Sequence, residues 1–104
     1  PEVTLYTTNA STVQGSVFDV DLVQYVRVTN HDASNFVTLR VTDSNNDEFA
    51  YKLEAGQSFV LWGHAASMSA ADAATAGAPN ADIASIEAQA DTGACDLEVI
   101  VATT

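Results

Sequence analysis

The clearest pattern in the chain is the alternation of Val37, Leu39 and Val41 with Thr38, Arg40 and Thr42, a period of two that predicts a strand with one apolar face. The run Asp43-Ser44-Asn45-Asn46-Asp47 follows, rich in side chains that cap their own turns and tolerate left-handed backbone. Phe49, Tyr51 and Leu53 then alternate with Ala50, Lys52 and Glu54, so the two runs are expected to form a hairpin with Phe49 and Tyr51 facing inward beside Leu53. Glu54-Ala55-Gly56-Gln57 predicts a second tight turn. Phe59, Val60, Leu61 and Trp62 after it are apolar at successive positions, as in a strand covered on both faces.

Upstream, Val3, Leu5 and Thr7 alternate with Thr4 and Tyr6, which predicts a short first strand, and the Thr/Asn/Ser-rich run Thr7 to Thr12 reads as a turn or arm. Between Val17 and Asn30, Phe18, Val20, Leu22, Val26 and Val28 share one face, interrupted by Gln24, and Val23 and Tyr25 share the other. This is one long strand or two strands broken near Asp19 to Asp21. His31-Asp32-Ala33-Ser34-Asn35 is a turn cluster.

Downstream, the stretch from 63 to 82 is alanine-rich with few bulky apolar residues; it predicts a long loop with one helical turn near Ser69 to Ala74. Ile86, Ala88 and Ala90 alternate with Ser85, Glu87 and Gln89. Asp91-Thr92-Gly93 turns the chain, and Cys95, Leu97, Val99 and Val101 alternate with Asp96, Glu98 and Ile100, predicting a closing hairpin.

Such strands, about seven, with turn clusters between them and no helical period, predict an all-β fold: an antiparallel β-sandwich with Greek-key connections, Ig-like or jelly-roll-like, because two half-apolar sheets must bury their faces against each other. The 104 residues make one domain, 1–104, carrying an arm at 1–12 and the loop at 63–82.

Composition sharpens this. A 47% hydrophobic, 16% charged chain belongs with globular rather than disordered proteins. Fourteen acidic residues oppose only Arg27, Arg40 and Lys52, for a formal charge of -11, a field that repels phosphate backbones and anionic lipid. Neither nucleic acid nor membrane is an expected partner. No stretch reaches the roughly 20 apolar residues of a membrane helix, and Pro1-Glu2-Val3 has no signal-peptide character, so the chain is expected to be made in the cytoplasm. The single cysteine, Cys95, has no partner for an intramolecular disulfide and reads as a small buried hydrophobe.

Candidate chemistry is sparse. Asp43, Asn45 and Asp47 present oxygens at alternate positions, with Glu54 eleven residues after Asp43, the ligand spacing of an EF-hand loop; Glu48 stands where that loop requires glycine, and a plain hairpin turn is expected instead. His31 and His64 lie in separate loops with no Cys or His at zinc spacing. Asp19 with Asp21, and Asp96 with Glu98, sit at strand spacing on a solvated face rather than as an acid–base pair. Trp62, Tyr6, Tyr25 and Tyr51 could form a sugar-stacking platform, although Tyr51 is expected inward. No nucleophile elbow or phosphate loop occurs. The expectation is a non-enzyme with no catalytic residue, cofactor or metal.

The segments Val26-Arg-Val-Thr-Asn30, Val37-Thr-Leu-Arg-Val41 and Tyr51-Lys-Leu-Glu-Ala-Gly-Gln-Ser-Phe-Val60 resemble a pattern of β-sandwich modules. In these a strand ends in Asn, a hairpin follows, and a Leu-x-x-Gly-x-Ser turn precedes an apolar strand. With the ending Ile86 to Val99, the chain resembles the short acidic virion proteins of marine tailed phages. That resemblance implies a particle component assembled in many copies, above all a capsid decoration or cement protein, with a tail- or fibre-associated sandwich second. A carbohydrate-binding module is the alternative of another class. The implied partners are the major capsid protein and copies of the chain itself, as a trimer or other homo-oligomer. The contacts would come from Pro1, Glu2, Val3, Thr4, Leu5 and Tyr6, from Trp62, and from the Ala-rich loop with Met68.

Overall fold

The computed structural model describes residues 2–8, 18, 22–62, 67–68 and 81–103, with the side chain of Trp62 outside that set. The strands are β1 (Val3–Thr7), β2 (Val23–Asn30), β3 (Val37–Asp43), β4 (Glu48–Leu53), β5 (Ser58–Trp62), the two-residue β6 (Ser67–Met68), β7 (Ala81–Ala90) and β8 (Leu97–Thr103). One sheet runs β1-β7-β3-β4, with β6 also paired to β7; the other runs β5-β2-β8. Every ladder between these strands is antiparallel, and the two sheets pack face to face. The expected all-β sandwich is the fold.

Its core is the set of inward positions from both sheets. Val37, Leu39 and Val41 from β3 meet Val26 and Val28 from β2, with Leu53, Ile83 and Ile86 completing the buried cluster. Burying each of these side chains contributes about 1.5–3 kcal/mol. Leu97, Val99 and Val101 of β8 and Phe59 and Leu61 of β5 pack against the cluster.

Three of the connections that cross between the sheets are described throughout. Residues 31–36 carry β2 into β3, residues 54–57 carry β4 into β5, and residues 91–96 carry β7 into β8. The register places all three at the same end of the sandwich, because Asn30 pairs with Leu97 while Val37 pairs with both Leu53 and Ala90. Such short arches stack β5 on β4, β2 on β3 and β8 on β7. The closing hairpin expected from the sequence is therefore an arch between sheets: β7 is already paired on both sides, with β1 and β3, so β8 must pair elsewhere.

Asn30 welds this end together. Its side-chain amide donates to the Leu53 carbonyl at 3.1 Å and the Asn35 carbonyl at 3.0 Å, and its Oδ1 accepts from the Asp32 N–H. Its backbone N–H donates to the Gln57 carbonyl, and its carbonyl accepts from the Gly56 N–H. The strand-ending Asn and the Leu-x-x-Gly-x-Ser turn of the sequence pattern thus form one hydrogen-bonded unit. Gly56, at φ 81°, occupies the left-handed region that a side chain would strain.

Several orientations differ from expectation. Phe49 and Tyr51 are exposed, because β4 is the edge of its sheet and only Leu53, next to the arch, lies under β5. Tyr51 instead meets Phe59 of β5 across the sandwich edge, ring centroids 5.6 Å apart. Val60 is 44% exposed, since β5 is covered on one face only. A register shift between Val23 and Tyr25 turns Val23 into the core, while Leu22 and Phe18 are exposed. The Ala-rich segment is shorter as a loop than expected: Ser67 and Met68 pair with Asp82 and Ala81, and β7 already begins at Ala81. Small side chains suit β7 because it is a central strand, buried at each position from Ile83 to Ile86. The expected helical turn at 69–74, His64, and the Asp19–Asp21 pair lie outside the described residues.

Candidate functional site

The chain's cations are all engaged in ion pairs. Arg27, at the centre of the outer face of the β5-β2-β8 sheet, lies 3.6 Å from Glu98, which His31 Nε2 also approaches at 3.5 Å. Arg40, on the outer face of the other sheet, pairs with Glu2 at 2.7 Å and with Glu48 and Glu87 at 3.5 Å each. Lys52 pairs with Glu54 at 3.2 Å and sits 4.4 Å above the Phe36 ring. The described residues therefore offer no free basic patch to a polyanion.

The Asp43 turn spends its carboxylate internally. Asp43 is buried, and one oxygen, Oδ1, accepts from the Asn45 and Asp47 N–H groups at 2.9 Å each. Asn46 takes the left-handed conformation at φ 66° that closes the turn. Asn45 and Asp47 are exposed, and the described residues contain no group of three acidic, His or Cys side chains placed to hold a metal. The alternating oxygens serve an Asx-type turn. Asp32 behaves similarly: it accepts from the Ser34 and Asn35 N–H groups, which holds its carboxyl below the usual range.

The side of the sandwich formed by β1 and β8 is different. A cleft of about 720 Å³ opens there, lined by Val3 and Leu5 of β1, Ala88 and Ala90 of β7, and the segment from Gly93 to Leu97. Alanines at 88, 90 and 94 are too small to fill the space between the sheets. β1 is bulged, its register shifting between Thr4 and Tyr6; this sends Tyr6 into the core and leaves Leu5 half-buried beside the cleft. Cys95 lies on the wall, in the arch rather than in a strand. Its thiol is pushed up by burial first and then by the charges of Asp32, Asp91 and Asp96.

Of the contact residues named from the sequence, Val3 is 59% exposed and Leu5 half-buried, both on the cleft; Glu2 is tied to Arg40; Thr4 is exposed on the outer face. Tyr6 is a core residue, stacked on Phe18 at 5.6 Å, so it leaves both the contact set and any sugar platform. Met68 packs against the core from β6. Pro1 and the Trp62 side chain lie outside the described residues. Sequence reasoning missed the cleft, Val60 and Ile100. The last two flank Arg27 in register on the outer face, 44% and 38% exposed, an arrangement legible only once β2 is known to lie between β5 and β8.

Comparison with protein-family models, with curated proteins and with solved structures returned no match for this chain.

Proposed function

We propose that the chain is a virion structural protein, a capsid decoration or cement protein that seats on neighbouring major-capsid subunits and stabilises the shell. The observation that carries this reading is the row Val60–Arg27–Ile100: two exposed apolar side chains flank a paired arginine on the outer face of the β5-β2-β8 sheet. Exposed apolar side chains with polar neighbours on an outer sheet face suit contact with a protein surface, whereas a small-molecule site is concave with convergent polar groups. Repetition over a symmetric shell turns modest contacts of this kind into tight binding through avidity. The acidic surface keeps unassembled copies apart.

A sugar platform has less support. Tyr6 is buried, and Tyr51 is tilted by 41° against Phe59 rather than lying coplanar with a second exposed ring.

The direct test adds purified protein to shells stripped of it. Saturable co-sedimentation and a raised temperature of shell disruption are expected, both weakened by Ile100→Asp with the variant still folded. Failure of the folded wild-type protein to bind shells overturns the reading.

A further inference from the structure

The two sheets are unequal. The arches stack β5 on β4, β2 on β3 and β8 on β7, which leaves β1 at the end of the larger sheet with no counterpart among the described residues. That counterpart would be a strand beside β8, which among the described residues pairs with β2 alone. The apolar cleft lies where that strand would sit, between Val3 and Leu5 on one side and Leu97 on the other. From Val99 to Thr103 the free edge carries no charge and no proline, the devices that ordinarily protect an exposed edge.

We propose that this vacancy is an acceptor slot for one extended strand of a different polypeptide, which pairs antiparallel with β8 and lays alternate apolar side chains into the cleft. The inference rests on strand order and holds whether or not the chain belongs to a virion.

Two observations fix the occupant. A second folded copy does not fit: pairing β8 with its twin about a twofold axis would bring the twin's β7 over the twin's β8, the space β1 already occupies. The rim is also acidic, for Asp91 and Asp96 border the Cys95 wall with Asp32 close enough to act on the same thiol, and none of the three is ion-paired among the described residues. These carboxylates gather where β8 begins. The carboxyl end of an antiparallel newcomer lies there and is expected to carry Lys or Arg. No spare segment of this chain meets that requirement, because Arg27, Arg40 and Lys52 are fixed in β2, β3 and β4. Strand addition of this type draws affinity from main-chain hydrogen bonds and specificity from alternate side chains.

The probe is a labelled peptide, Val-Thr-Val-Thr-Val-Lys-Lys, titrated by fluorescence anisotropy against the intact protein. Expected are saturable one-to-one binding, slowed amide exchange along β8, and slowed alkylation of Cys95. The same peptide N-methylated at alternate residues keeps its side chains but cannot complete the ladder, and it should bind about tenfold more weakly or worse. Replacing its lysines with glutamates should weaken it comparably. Val3→Lys, at an exposed position that leaves the core intact, should reduce binding without lowering the melting temperature. The proposal is overturned by absence of saturable binding, by equal affinity of the N-methylated peptide, or by unchanged exchange in β8. Dimerisation of the free protein through β8 that excludes the peptide overturns it as well.

Discussion

The side-chain amide of Asn30, at the end of β2 in one sheet, donates to the carbonyl of Leu53, at the end of β4 in the other, at 3.1 Å. Asn30 is fully buried; its bond to the Leu53 carbonyl is made away from water, its bond to the Asn35 carbonyl is part-buried, and both are lost if the amide is removed. A buried carbonyl stripped of its donor costs about 1–3 kcal/mol. Asn30→Ala is expected to destabilise the fold by about 2–3 kcal/mol in urea melts. Asn30→Asp, which turns an oxygen toward both carbonyls, should cost at least as much at neutral pH. A neutral effect of either change would contradict a joining role for Asn30.

Leu53 and Phe49 lie on the same strand with opposite fates. Leu53 is fully buried, whereas Phe49 is 41% exposed on the edge strand. Leu53→Ala should cost about 2–5 kcal/mol and Phe49→Ala less than about 1 kcal/mol. Equal costs in chemical denaturation would mean that β4 is covered along its whole length.

The alternation of β3 was legible in the sequence because it is a central strand with one polar face, and Val37, Leu39 and Val41 are all buried as the pattern implied. The same pattern misled in β4, since periodicity says which residues share a face and not whether another sheet reaches far enough to cover it. The bulges at Leu5 and near Gln24 each shift a strand's facing by one residue, which moved Tyr6 and Val23 into the core. The cleft was hidden for a related reason: it lies where no described strand stands opposite β1, and the order of strands across the two sheets is not written in any one strand's periodicity.

Asp43 is a structural carboxylate. Asp43→Ala frees two N–H groups in the β3–β4 turn and is expected to cost about 1–3 kcal/mol, while millimolar calcium should leave the wild-type melting temperature unchanged. A calcium-dependent rise in melting temperature that Asp43→Ala abolishes would assign the turn a metal instead.

Burial pushes the Tyr6 phenol up to about 12. An unfolded tyrosine ionises near 10, so the unfolded chain loses this proton first. The stabilising contribution is therefore complete below about pH 10 and fades as pH rises through about 12. Absorbance titration at the phenolate band should show a late step, and Tyr6→Phe should remove it. A late step that survives in that variant would assign it elsewhere.

The central claim, that the chain is a repeated component of a virion shell, is tested most directly by quantitative mass spectrometry of purified particles. The expected result is many copies per particle, in a fixed ratio to the major capsid protein. A handful of copies would place the chain in a tail instead, and its absence from particles would contradict the claim outright.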